Sequence, residues 1–217
     1  MVRYVGAQPF VPASSQLRVL AAAAEGCEGC DLYARATQVV FGAGRRTARV
    51  MMIGEQPGDV EDRQGAPFVG PAGGVLDRAL ADAGLDRRAL YLTNAVKHFR
   101  WKSTARSSRR LHEKPSGSQM TACQPWLAAE LTAVKPRVVV TLGATAAASL
   151  IGPSFRLSAH RGEQLQWPPV DGPFAESRVR IEAVIATIHP SAVLRASSED
   201  RASTYQGLVE DLRLASG

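Results

Sequence analysis

No apolar run in the chain approaches the roughly 20 residues that a membrane span requires, and the alanine-rich stretch near Leu20 lacks the charged lead-in of a secretory signal. A soluble, cytoplasmic protein without a membrane partner is therefore expected. Cysteine is scarce: three residues, an odd number, argue against a disulfide framework and leave a metal or redox role open. Internal repeats are absent as well, which removes solenoids and propellers from consideration. What remains is a chain of 217 residues, 45% hydrophobic, enough for one compact domain spanning 1–217. Nothing in it suggests an assembly, so a monomer is expected.

The formal charge is +6, and its distribution says more than its sum. Between positions 97 and 114 seven basic residues (Lys97, Arg100, Lys102, Arg106, Arg109, Arg110, Lys114) face one acid, Glu113. That local excess equals the excess of the whole chain. A concentrated cationic loop attracts a polyphosphate backbone through counterion release; a solvated loop with no partner accounts for the charge equally well.

Apolar runs and helical spacing alternate along the chain. Helices are predicted over 15–24, 75–85, 119–134, 143–150 and 198–214, the last with acidic residues in its first turn, favourable for the macrodipole. Strands are predicted over 48–53, 90–94, 137–142, 163–167 and 181–188. Such alternation implies a three-layer α/β/α sandwich around a mostly parallel sheet. Residues 100–117 alone have a disordered look.

Strands of such sheets deliver ligands at their carboxyl ends. The strand ending at Ile53 runs into GEQPGDVEDRQGAPFVGPAGG over 54–74, a glycine- and proline-rich turn crowded with carboxylates. Glu55, Gln56, Asp59, Glu61, Asp62 and Phe68 are thereby expected around one pocket mouth. Two further strand ends should meet it, at Asn94 and at His189-Pro-Ser191. The Asn94 amide can donate and accept at once, suiting the edge of an amide-containing ring; Phe68 offers a stacking face, and His189 a donor for developing negative charge. Singly, each is explained as readily by a turn asparagine, a core phenylalanine or a satisfied histidine; their joint arrival at strand ends favours a site. His112, beside Arg109 and Arg110, reads most simply as a phosphate contact.

The Cys27-x-x-Cys30 spacing can bring two thiolates onto one ion or cluster, with Cys123 as a third sulfur and His98 as a fourth ligand. A redox dithiol and plain buried cysteines are the alternatives.

Together, Gly54-Glu-Gln-Pro-Gly-Asp59, Pro67-Phe-Val-Gly-Pro-Ala-Gly73, Thr93-Asn94 and His189-Pro-Ser191 resemble the iron-sulfur uracil-DNA glycosylases, in the family's order and from Cys27 to the final helix. That family usually holds a 4Fe-4S cluster on four cysteines, one of them directly after a Val-Lys pair. Here Val96-Lys97 is followed by His98. This departure, the glutamine of GEQPG and the inserted basic loop resemble the UdgX branch, glycosylases that become covalently joined to DNA. Their loop carries Lys-Arg-Arg-Ile-His, with histidine as the attacking residue, against Ser108-Arg109-Arg110-Leu111-His112 here. The resemblance implies uracil-containing DNA as partner, single strands costing least to enter because the base must leave the stack. It implies a 4Fe-4S cluster on Cys27, Cys30, His98 and Cys123. Phe68 would stack on the uracil in a pocket floored by Gly54, Asn94 and Gln56 would address its polar atoms, and His189 its charged oxygen. His112 would attack the sugar, with Glu55 as proton acceptor and Asp59 as support, and Arg109, Arg110, Lys97 and Ser191 would contact DNA. A turnover glycosylase and a noncatalytic nucleic-acid-binding module are the rival readings.

Overall fold

The computed structural model describes residues 4–104 and 107–216, with the side chains of Thr104, Ser107 and Ser108 left undescribed. Arg106, counted above among the basic residues, and the side chain of Ser108 lie outside that part. The chain forms β1 (Ala43–Gly44), β2 (Val50–Gly54), β3 (Tyr91–Asn94), β4 (Trp101–Thr104), β5 (Ser107–His112), β6 (Val138–Leu142), β7 (Gln164–Leu165) and β8 (Ala183–Thr187). Its helices are α1 (Leu17–Ala24), α2 (Asp59–Gln64), α3 (Pro71–Asp82), α4 (Gly117–Val134), α5 (Ala144–Ile151), α6 (Leu157–His160), α7 (Ser191–Arg195) and α8 (Arg201–Arg213).

Six strands form one sheet in the order β1-β3-β2-β6-β8-β7. The inner four, β3, β2, β6 and β8, run parallel, while β1 and β7 close the edges antiparallel. Every residue of those inner strands is buried, which explains why they read as unbroken apolar runs rather than alternating ones. Alternation decides the face instead. Val50 and Met52 of β2 pack with α3, α7 and α8, and Met51 and Ile53 pack with α4 and α5. The three layers expected from the sequence are those found.

Spacing supplies the seams. In α3, Val75, Leu76, Ala79 and Leu80 recur at helical intervals and are all buried, and each leucine contributes about 1.5–3 kcal/mol by leaving water. A third cluster joins α1 to the outer face of α4, with Leu20, Ala24, Trp126 and the three cysteines inside it.

Four local expectations are corrected. Within the segment over 100–117, β4 and β5 pair as an antiparallel hairpin, because Trp101 pairs with His112 and successive partners follow with one irregularity. The carboxylate-rich turn contains a helix, α2, whose first turn holds Asp59, Glu61 and Asp62, where acidic residues favour the positive end of the dipole. The strand at 163–167 shrinks to a two-residue edge. The final helix begins at Arg201, so Glu199 and Asp200 precede it and its first turn holds no acid.

Candidate active site at the strand ends

Gly54 and Asn94 are register partners at the ends of β2 and β3. A Cβ on Gly54 would stand 2.3 Å from Asn94 Oδ1 and 2.6 Å from Phe68 Cζ, so only a hydrogen at this position lets the amide and the ring meet. Phe68 itself holds a left-handed backbone (φ 55°), a conformation that costs a non-glycine residue of order 1 kcal/mol and persists where the surroundings impose it. The carbonyl of Phe68 accepts from Arg87 Nη2 at 3.1 Å. Its ring lies 6.3 Å from that of His189, nearly parallel at 29°. Phe68, Asn94 and His189 thus converge as their sequence positions suggested.

His189 follows β8 and stands against Gly143, where a Cβ would come within 3.0 Å of its own. The backbone N–H of Ser191 donates to His189 Nδ1 at 3.2 Å, and the Ser191 hydroxyl lies 2.7 Å from the same nitrogen. Nδ1 is therefore an acceptor, and the ring proton of the neutral tautomer is carried on Nε2. Burial pushes the pKa of His189 down to about 4, although the Glu55 carboxylate acts against it. At neutral pH it is an uncharged donor. Ser191, expected on DNA, instead has its hydroxyl engaged by His189 and by Arg195 Nη1 at 2.8 Å.

Glu55 is the first residue past β2. Burial would raise its carboxyl, but hydrogen bonds from His112 and Thr145 and the charges near it outweigh burial and hold it below the usual carboxylate range. His112 Nε2 lies 3.3 Å from Glu55 Oε1, with the imidazole half exposed and its ring 6.1 Å from that of Phe99. A carboxylate, an accessible imidazole and an uncharged histidine donor therefore face one corner floored by Phe68 and Asn94. Thr145 was not anticipated, though Gly143-Ala-Thr just after a strand marks the first turn of a helix and could have signalled it.

Other expected site residues carry the hairpin. Gln56 donates through Nε2 to the carbonyls of Arg100 and Glu113, each at 3.1 Å, and its Oε1 accepts from Arg100 N at 3.1 Å. Both amide hydrogens and the oxygen are taken up at the hairpin's base, so Gln56 clamps the loop rather than offering its amide to a base. Asp59 is likewise drawn away from His112. It accepts from Arg110 Nε at 2.5 Å and from Arg63 Nε at 3.1 Å. Arg110 also reaches Asp62 at 2.6 Å and Thr37 at 3.0 Å, and its guanidinium lies 5.4 Å from the Phe99 ring. With two carboxylates on it, Arg110 ties the hairpin to α2 instead of facing phosphates. Arg109 is exposed on β5.

Lys97 departs furthest from expectation. Its side chain is 1% exposed, and Nζ donates to Glu130 Oε2 at 2.5 Å, to Asn94 O at 2.6 Å and to Thr93 Oγ1 at 2.8 Å. Glu130 also accepts from the Tyr91 and Thr93 hydroxyls and from Gly42 N. A buried lysine with this shell has no donor left for DNA.

Cys27, Cys30 and Cys123 are all buried in the cluster between α1 and α4. Trp126 Nε1 donates to Cys27 Sγ at 3.2 Å, and Lys97 N to Cys123 Sγ at 3.3 Å. Burial pushes the Cys123 thiol up to about 12 and raises Cys30. His98 is buried nearby in sequence, one residue past Lys97. Among the described residues, no three His, Cys, Asp or Glu side chains are gathered so as to hold a metal ion. No helix among them is long and apolar enough to cross a membrane.

A mostly parallel α/β sheet that gathers a carboxylate, two imidazoles and an aromatic ring at its strand ends holds them where such sheets bind ligands. Residues 41–213 match the Uracil DNA glycosylase superfamily, and the chain belongs to it. It is similar to the type-4 uracil-DNA glycosylase of Thermotoga maritima, 33% identical over 175 residues that cover 80% of this chain and 81% of the relative. The type-4 enzyme of Pyrobaculum aerophilum is 35% identical over 172 residues, covering 78% and 80%. A type-5 uracil-DNA glycosylase of the same organism is 33% identical over 115 residues, covering 46% of each chain.

Proposed function

We propose that the chain excises uracil from DNA and that His112 then captures the resulting sugar, as in the UdgX branch. The excision half is supported by the relatives' names and by the Phe68, Asn94 and His189 corner. The capture half rests on one observation, the 3.3 Å approach of His112 Nε2 to Glu55. The glycosidic bond breaks with its electron pair leaving on uracil, and the neutral His189 Nε2–H stabilises the oxygen on which that charge collects. Donors so placed are worth about 3 kcal/mol to a transition state. The sugar is left as an oxocarbenium ion. The ring nitrogen of His112 not engaged by Glu55 forms the bond to the anomeric carbon with its lone pair, and the proton on Nε2 passes to the Glu55 carboxylate. An N-alkyl imidazole is neutral and leaves poorly, so the reaction ends after one event.

The cysteines support a sulfur-ligated group. The three buried thiols belong to one packed cluster and two of them already accept N–H donors, and both conditions suit thiolates bound to a cationic centre. Cys27, Cys30, Cys123 and His98 would hold a 4Fe-4S cluster, which when bound would pin the segment after α1 to α4 and to the chain entering the hairpin. Single-stranded DNA as the preferred substrate, a monomer and a cytoplasmic location complete the reading.

Denaturing electrophoresis with uracil-containing single-stranded DNA tests it. The protein should give a shifted, denaturant-resistant band. His112→Ser should lose that band and, with water in the vacancy, release an abasic product. An abasic product without a shifted band from the unaltered protein defeats capture and leaves a turnover glycosylase. DNA binding with neither product reduces the chain to a binding module.

A further inference from the structure

At the end of the sheet opposite Glu55, where β2 and β6 begin, lies a cavity of about 450 Å³. Arg46 and Arg49 line it from the segment leading into β2, and Lys135 and Arg137 from the link between α4 and β6. All four are exposed, and no carboxylate lines the cavity.

The sheet brings these cations together. Val50 and Val138 are register partners in parallel strands, so Arg49 and Arg137 enter side by side, and Arg137 N donates to Arg49 O at 2.8 Å. Neighbouring like charges on a sheet are unfavourable unless something neutralises them. Glu182 does so in part: it pairs with Arg137 at 2.6 Å, and the charges of Arg137 and Arg49 hold its carboxyl below the usual range. Among the described residues, Arg46 and Lys135 have no carboxylate within ion-pairing distance. The C-terminus of α4 favours one cation by its dipole, which accounts for Lys135 but not for Arg46, which lies on another segment. In the basic segment at 97–114, by contrast, Lys97, Arg100 and Arg110 are each matched to an acid.

We propose that this cavity binds the phosphates of a nucleic-acid strand, a sequence-independent contact remote from the excision pocket. Guanidinium forks match phosphate oxygens, and Ser15, Thr47 and Thr132 add hydroxyls to the wall. No aromatic ring lines it, so bases have nothing to stack on and the backbone alone is held. Apart from the buried Val134 the lining has no sizeable apolar side chain, which leaves an acidic peptide without an anchor. The choice of occupant rests on DNA being the substrate, and the test separates the two.

The double variant Arg46→Gln/Lys135→Gln is compared with the unaltered protein in binding a long, uracil-free single strand across a salt series. Two lost phosphate contacts should lower the slope of log affinity against log salt by about 1.4 and weaken low-salt binding about tenfold or more. Uracil release from a short oligonucleotide that reaches only the catalytic end should not change, which also shows that the variant is folded. An unchanged slope and affinity overturns the proposal. So does an unchanged slope accompanied by lost binding of polyglutamate, which would assign the cavity to an acidic protein. A reduced slope in a protein that releases no uracil upholds the cavity while refuting the glycosylase reading.

Discussion

Replacing Gln56 by alanine distinguishes two roles for one side chain. In the structure its amide makes three hydrogen bonds of 3.1 Å, to Arg100 N, Arg100 O and Glu113 O, and the residue is 6% exposed. Each such bond is worth about 0.5–1.5 kcal/mol net, so the clamp contributes about 1.5–4.5 kcal/mol to keeping the hairpin's base closed. Glu113 N still donates to Arg100 O at 3.0 Å in the variant, and Arg110 still holds α2, so the fold survives while the base of β4 and β5 opens more often. Hydrogen exchange at the Arg100 amide, which loses its acceptor outright, should accelerate by about one to three decades, since 1.4 kcal/mol is a factor of ten. Because Glu113 follows His112 directly, the fraction of reacted DNA recovered as a covalent adduct should fall, with free abasic product rising in step. Excision of uracil and its rejection of cytosine should stay within a few fold. The reasoning fails if the variant exchanges no faster at Arg100 yet accepts cytosine or loses excision by orders of magnitude, for then Gln56 reads the base.

Lys97→Met leaves Glu130 buried without its cation and should cost about 3–5 kcal/mol in denaturant unfolding, while Lys97→Met/Glu130→Leu recovers much of that loss; a small loss in the single variant, with a reduced salt slope of DNA binding, would restore Lys97 to the DNA contacts. His189 has its folded pKa near 4 against about 6.5 unfolded, so below 6.5 the unfolded chain binds more protons. The stability that follows is complete above pH 6.5 and should shrink by about 2 kcal/mol by pH 5. His189→Gln should flatten that dependence in urea titrations at the two pH values, and an equal slope in both proteins contradicts the partly buried, neutral histidine.

The sheet was legible because fully buried parallel strands leave unbroken apolar runs, as at 138–142, and helices between them leave their spacing, as in Val75, Leu76, Ala79 and Leu80. The hairpin was not, since a two-stranded ribbon of Trp101, Lys102, Arg109 and Arg110 has no apolar alternation; it is held by Gln56, Asp59 and Asp62 from other segments. Gly54, Phe68, Asn94 and His189 could be grouped in advance because strand ends of a parallel sheet share one edge. Thr145 was legible as a residue of the first turn of α5, but its hydrogen bond to Glu55 depends on how that turn packs against the end of β2.

By itself, then, the sequence determined the order of strands and helices and the residues delivered to the carboxyl edge, both of which follow from periodicity and turn chemistry local to each segment. Only the tertiary structure decided what each charge does. Lys97 and Arg110 read as free cations in a basic loop, yet Glu130, Asp59 and Asp62 arrive from distant segments to neutralise them, while Arg46 and Lys135, 89 positions apart in sequence, come to line one cavity. Pairing of charges depends on distance in space, and a list of residues contains none.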